Sequence, residues 1–169
     1  LLHLASRKNV TIKYGTQQNL KQVGSTVTPP GLAAEVSWES QASAAQDVRQ
    51  YTRLLLLDAV SDPGNMGTLL RTAAWFGIPC VLCGERSIDV TNPKVVRGSM
   101  GAIFHLTVRE NVPLAEIRPD LKATGFTVIG ACAEKENAGR HIALSRLTEH
   151  FRIALILGNE AHGMSRELN

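Results

Sequence analysis

No apolar run in the 169 residues approaches the roughly 18 needed for a membrane-spanning helix, so no such span is expected. Cysteine is scarce as well. Cys80, Cys83 and Cys132 are too few for the disulfide framework that staples small secreted domains. No basic segment followed by an apolar one opens the chain, so the expected setting is intracellular and reducing, in the cytoplasm or in an organelle such as a plastid or mitochondrion. Neither a Walker phosphate loop nor a G-x-G-x-x-G run occurs. A nucleotide-binding domain that grips phosphate through the turn at residues 62–67 therefore ranks last among the functions considered.

A strong charge of one sign is also missing. The balance of 18 Lys and Arg against 15 Asp and Glu leaves a net charge of +3, which leans toward an anionic partner without resembling a histone-like composition. The excess is local: between residues 66 and 109, Arg71, Arg86, Lys94, Arg97 and Arg109 face only Glu85 and Asp89. Taken alone, that pattern fits an ordinary solvated surface better than an RNA-binding face.

What the chain does have is apolar content, 44% of its residues, enough for one principal core. Residues 10–12 suggest a short strand and residues 17–23 a helical turn. "TPPGLAAEV" reads as a Pro/Gly turn leading into a strand. The polar, Ala-rich stretch at residues 37–50 fits a linker, which divides the chain into residues 1–50 and 51–169. Beyond it, apolar runs alternate with helical segments. Strands are expected at residues 54–57, 80–83, 127–131 and 151–157 and near 104–108, with helices over 64–76, 93–99 and 112–124. Strands that are apolar throughout are buried on both faces, which predicts an α/β fold with a mainly parallel sheet flanked by helices.

In such sheets ligands bind beyond the carboxyl ends of the strands, so the loops there carry the chemistry. In "DAVSDPGNMGTLLRTAAWFG" an Asp-Pro-Gly turn leads into a helix bearing Asn65, Gly67 and Arg71. Gly67 allows a backbone or a ligand to come close, and Arg71, one turn on, carries a rigid donor fork suited to a phosphate or a hydroxyl. Read by itself, Asn65 could merely cap the helix and Arg71 form a surface ion pair. A similar design ends the last strand: in "LILGNEAHGMS", Gly158 and Gly163 flank Glu160. The loop after residues 127–131, "GACAEKENAG", opens on small residues that leave room for a cofactor or simply pack closely.

These segments, together with "NPKVVRGSMGAIFHL", resemble the SpoU (TrmH-like) family of SPOUT knotted methyltransferases, in order, from residue 53 to residue 165. The first segment is the most specific. The resemblance implies a trefoil-knot domain that transfers a methyl group from S-adenosylmethionine to a ribose 2′-hydroxyl of rRNA or tRNA, without a metal and as a homodimer. It implies Arg71, Asn65 and Glu160 as the catalytic constellation, and Ala131, Cys132, Ala133, Leu157, Gly158 and Gly163 as the cofactor lining. Residues 1–50 would then be the remnant of an N-terminal RNA-binding domain plus linker. The family's third motif, a Ser-Leu-Asn-type helix, does not follow Ser165 within this chain, so the methyltransferase domain is expected to be truncated and its knot incomplete. A non-catalytic RNA-binding or assembly protein on the same body is the alternative.

Other features are expected to be structural. Cys80 and Cys83 lie at strand spacing that points them to opposite faces, as buried thiols. His162 reads as a solvated loop residue, and His3, His105, His141 and His150 lack ligand spacing. Trp75 and Phe76 are expected to pack in the core, with no RNA role.

Overall fold

A computed structural model describes residues 2–24, 28–38, 48–131 and 151–168. The chain divides into two compact units, Leu1–Trp38 and Glu39–Asn169.

In the first unit, helix α1 spans Leu2–Arg7 and α2 spans Gln17–Val23. Thr16 starts α2 with a reciprocal cap: its hydroxyl accepts the Asn19 amide, and the Asn19 side chain accepts the Thr16 amide. The strands expected at residues 10–12 and after the Pro-Pro-Gly turn do not form. Neither stretch pairs with a neighbouring strand among the described residues, and a sheet requires such hydrogen bonds.

Among the described residues the second unit is built on five parallel strands: β1 (Arg53–Leu57), β2 (Cys80–Gly84), β3 (Thr107–Val112), β4 (Thr127–Gly130) and β5 (Ile153–Leu157). Their order is β3-β2-β1-β5-β4, with Leu54 opposite both Cys80 and Ala154. As the continuous apolar runs required, β1 and β2 are buried on both faces. One face of the core joins Leu54, Leu56, Cys80, Leu82 and Ile156 to Leu114 and Leu121 of α5 (Leu114–Ala123). Alternation turns Leu55, Leu57, Val81 and Cys83 to the other face, and all are buried.

Helix α3 (Pro63–Trp75) buries Met66, Gly67, Leu70 and Ala73, a single stripe at helical spacing. Helix α4 (Pro93–Gly98) crosses it where Gly67 meets Gly98. A Cβ on Gly67 would sit 2.8 Å from the Gly98 Cα, so backbone, and not a ligand, takes the space this glycine leaves. Trp75 and Phe76 correct the sequence expectation. They fall off the buried stripe and are 85% and 67% exposed.

The region near residues 104–108 is also different. Met100 and Gly101 both adopt left-handed backbone angles, which end α4 and lead into a 3-10 turn at Ala102–His105. The strand β3 begins only afterwards and runs through Arg109, Glu110 and Asn111. At the edge of a sheet such polar positions are tolerated.

Candidate active site

Strands β1 and β5 are neighbours, yet β1 continues to β2 on one side while β5 has β4 on the other. Their carboxyl ends therefore open the crevice where strand order reverses, the usual ligand position in a parallel sheet. The two loops that were singled out in the sequence meet there.

After β1 the chain passes Asp58 and Ala59, the latter in the left-handed region at φ 56°. Asp62 then caps α3: its carboxylate accepts the Asn65 amide at 2.7 Å, and Pro63 occupies the first turn, where its missing N–H costs nothing. This cap uses the backbone amide of Asn65 and fixes the residue at the crevice. After β5, Asn159 and Gly163 exchange two backbone hydrogen bonds of 2.9 Å and close a tight loop around Glu160. Gly163 supplies a left-handed turn at φ 69°. A Cβ on Gly158 would lie 2.3 Å from the Gly163 carbonyl carbon, so Gly158 is needed for the loop to fold onto itself.

Glu160 reaches across to the first loop. The Asn65 side-chain amide donates to it at 3.2 Å, the Asp62 backbone N–H at 3.4 Å and the Ser61 hydroxyl at 3.5 Å. Desolvation acts to raise its pKa, but hydrogen bonds from its own amide, Asn65, Asp62 and Ser61 outweigh that and hold the carboxyl below the usual glutamate range. The carboxylate is ionised at neutral pH.

Two residues that the sequence reading missed join these loops. The Asn159 side chain donates to the Ala59 carbonyl at 2.8 Å while its own oxygen accepts the Ala161 and His162 amides. Asp58, buried at the end of β1, accepts the Ser165 amide at 2.6 Å and lies 4.0 Å from the Arg86 guanidinium. A signal existed for Asp58, since an acid immediately after a buried apolar strand must find a donor. Nothing local marked Asn159.

The structure thus brings Asn65 and Glu160 together. Arg71 lies six residues further along α3, roughly 9 Å along the axis, exposed and without a hydrogen bond or ion pair among the described residues. Of the expected cofactor lining, Ala131 is exposed beyond β4, and its amide donates to the Ile156 carbonyl at 2.9 Å beside Leu157 and Gly158. Cys132 and Ala133 lie outside the described residues. His162 is exposed in the loop, as expected, and Cys80 and Cys83 are buried. Among the described residues no cluster of three or more His, Cys, Asp or Glu could hold a metal ion, and no helix is long and apolar enough to cross a membrane.

A family model described as the SpoU rRNA Methylase family matches residues 52–169. The chain is 36% identical over 147 residues to the 23S rRNA (guanosine(2553)-2′-O)-methyltransferase RlmP of Bacillus subtilis, covering 86% of this chain and 54% of that protein. It therefore spans about half the length of that relative. Among solved structures, the AdoMet-bound rRNA methyltransferase from Sinorhizobium meliloti is similar at 26% identity and TM-score 0.59, over 71% of this chain and 46% of that one. The A. aeolicus TrmH/SpoU tRNA modifying enzyme shares the fold at 18% identity and TM-score 0.56, over 69% of this chain and 57% of its own.

Proposed function

We propose, for a chain that belongs to the SpoU rRNA Methylase family, that the protein transfers a methyl group from S-adenosylmethionine to a ribose 2′-hydroxyl of rRNA or tRNA. The observation that carries this reading is the meeting of Asn65 and Glu160, 95 positions apart in sequence, in the crevice between the ends of β1 and β5.

Ala131, Leu157, Gly158 and Gly163 would hold the cofactor, joined by Cys132 and Ala133. The fit rests on the rim itself: beside the end of β5 the exposed Ala131 adds only a methyl group, next to the loop that Gly158 and Gly163 fold back on itself. When bound, S-adenosylmethionine supplies an electrophilic methyl carbon on a cationic sulfur. To take that methyl, a ribose hydroxyl would also have to give up its proton to water.

The residues of the chain lower the cost of that proton loss. Arg71 acts by donation: its fork orients the hydroxyl oxygen or the adjoining phosphate and stabilises negative charge as it develops. Asn65 positions the ribose from the capped start of α3. Glu160, ionised and tied to Asn65, keeps that amide directed into the crevice. Binding then pays the ordering cost before the chemistry starts.

The family resemblance further implies a homodimer, which we include in the proposal. An rRNA or tRNA substrate places the protein inside the cell, in the cytoplasm or in an organelle that holds such RNA.

The test is to incubate the full-length protein with rRNA or tRNA and S-adenosylmethionine and then hydrolyse the RNA in alkali. A 2′-O-methyl group removes the nucleophile that alkaline cleavage uses, so an alkali-resistant dinucleotide is expected. Methyl groups found only on bases, or a folded protein that transfers none, would overturn the assignment.

A further inference from the structure

Beside α5, toward the edge strand β3, the sheet is incompletely covered. A groove of about 740 Å3 runs there, lined by Leu82 and Arg109 from the strands and by Ile117 and Leu121 from the helix. Arg109 is paired in register with Leu82, so its side chain leaves the sheet on the face that α5 packs against. A guanidinium on that otherwise apolar face needs an acceptor.

None is present among the described residues. The Nε and Nη2 atoms of Arg109 are both buried, and neither has a hydrogen-bond partner. These two nitrogens form one edge of the guanidinium, where two N–H bonds point the same way at the spacing of two carboxylate oxygens. A buried donor without an acceptor is costly, and a charged one more so. The neighbouring groups do not relieve it. The Cys80 thiol is held neutral by burial, which pushes its pKa up to about 11, and the Glu110 carboxylate accepts the Val90 amide at 3.0 Å. Arg109 as a whole is half-buried and lines the groove, so rotation about its outer side-chain bonds turns the open edge toward a ligand while the backbone stays in place.

The surroundings select the occupant. An added strand fits poorly, because β3 shifts register between Leu82 and Gly84 and Asn111 takes a left-handed angle at φ 55°, and such an irregularity blunts a sheet edge. A polyanion fits poorly as well. The charged residues of the groove balance, Arg49 and Arg109 against Glu110 and Asp120, so no excess of positive charge awaits a phosphate chain. A single carboxylate on an apolar body meets both the open fork and the aliphatic walls.

We propose that this groove binds a small organic monocarboxylate, whose two oxygens take the Nε and Nη2 edge of Arg109 and whose apolar part lies among Leu82, Ile117 and Leu121. The site stands apart from the proposed methyl transfer. It lies at the β3 edge of the sheet, whereas the proposed cofactor rim is at β4 and β5 on the other side of β1.

The test uses the full-length protein with octanoate and benzoate as ligands and with octanamide and inorganic phosphate as controls. At least one of the two acids should shift the Arg109 Nε–H resonance and give a saturable calorimetric isotherm, while neither control does so at the same concentration. Arg109→Gln should weaken binding of that acid roughly tenfold or more, the usual effect of losing hydrogen bonds to a charged group. The variant loses a buried charge that has no partner, so it should fold and melt no lower than the parent. Affinity for S-adenosylmethionine should be the same with and without the acid. Octanamide binding as tightly as octanoate, or an Arg109→Gln variant that binds the acids like the parent, would overturn the proposal. So would silence of the Arg109 resonance toward both acids. If Asp120→Asn moves that resonance with no ligand present, the guanidinium already has an internal partner and the site is not one for a carboxylate.

Discussion

Asn65 donates its side-chain amide to Glu160 at 3.2 Å, and this bond ties the loop that leaves β1 to the loop that leaves β5. The backbone of each residue is fixed independently. Asp62 caps the turn that carries Asn65, and the Asn159–Gly163 pairing closes the turn that carries Glu160. The contact is therefore made between two pre-formed loops, which limits the ordering cost that a polar pair at the surface otherwise incurs.

Protonation should report this contact. The pKa of Glu160 is depressed in the folded protein, so its stabilising contribution is complete above the ordinary glutamate range and disappears as pH falls through the lowered value. Asn65→Ala removes one of the bonds responsible, so Glu160 should titrate at higher pH in the variant. Carbon-detected NMR titration of the Glu160 carboxyl measures the midpoint. An unchanged midpoint would mean that Asn65 does not hold the carboxylate in solution.

Much of this arrangement was legible in the sequence, for physical reasons that also explain where legibility ended. Unbroken apolar runs mark β1 and β2 because both of their faces are buried, and the Met66–Leu70–Ala73 stripe marks α3. The edge strand β3 left only a partial trace: the strand expected near residues 104–108 overlaps it at Thr107 and Val108, and Arg109, Glu110 and Asn111 can sit at a sheet margin without an apolar pattern. Trp75 and Phe76 were misplaced because aromatic character suggests burial, while the helical register turns both away from the sheet. Asn159 was invisible for another reason: its partner, the Ala59 carbonyl, is 100 positions away and is a backbone group that no side-chain pattern reveals.

The crossing of α3 and α4 should be asymmetric to mutation. Gly67→Ala forces a Cβ within 2.8–2.9 Å of the backbone atoms of Gly98 and Val95, which cannot yield without parting the helices. A loss of about 1–3 kcal/mol is expected. At Gly98 the added Cβ would approach Gly67 only to 3.3 Å, a small adjustment partly offset by the better helix propensity of alanine, about 0.5–1 kcal/mol. Urea denaturation of the two variants should rank Gly67→Ala as clearly the less stable.

Gly158→Ala should act through the loop itself. The new methyl group would collide with the Gly163 carbonyl carbon and the Met164 amide nitrogen at 2.3 Å, so the Asn159–Gly163 pairing must open. Amide hydrogen exchange at Asn159 and Gly163 should speed up, and cofactor affinity should fall along with it. Weakened cofactor binding with both amides still protected would point instead to direct occupation of the ligand's space.

Cys80 and Cys83 should be inert in the native state. Burial raises the pKa of Cys80 to about 11, with Arg109 opposing, and that of Cys83 to about 12, with Glu110 and Cys80 adding to the rise. Both folded values exceed the unfolded one, so the stabilisation is full below the ordinary thiol range and is lost as pH rises toward those values. Alkylation at pH 8, mapped by mass spectrometry, should spare both until the protein unfolds. Rapid native labelling of either would contradict the burial seen here.

Arg71 offers the sharpest separation of chemistry from binding. It lies on the exposed face of α3, whereas the proposed cofactor rim is formed by the ends of β4 and β5, so its guanidinium should serve the RNA and not the adenosine. In the full-length protein, Arg71→Ala should abolish methyl transfer in a single turnover while cofactor affinity, measured separately by calorimetry, stays close to the parent's. Loss of one donor aimed at developing charge is typically worth about a hundredfold or more in rate. Arg71→Lys should not rescue, because an ammonium is a point charge and cannot reproduce two parallel donors in a fixed plane. Arg71 makes no hydrogen bond or ion pair among the described residues, so neither variant should cost much stability, and a slow rate cannot be blamed on misfolding. If the lysine variant methylates at the parent rate, charge alone suffices at this position and the orienting role assigned to the guanidinium fork is wrong.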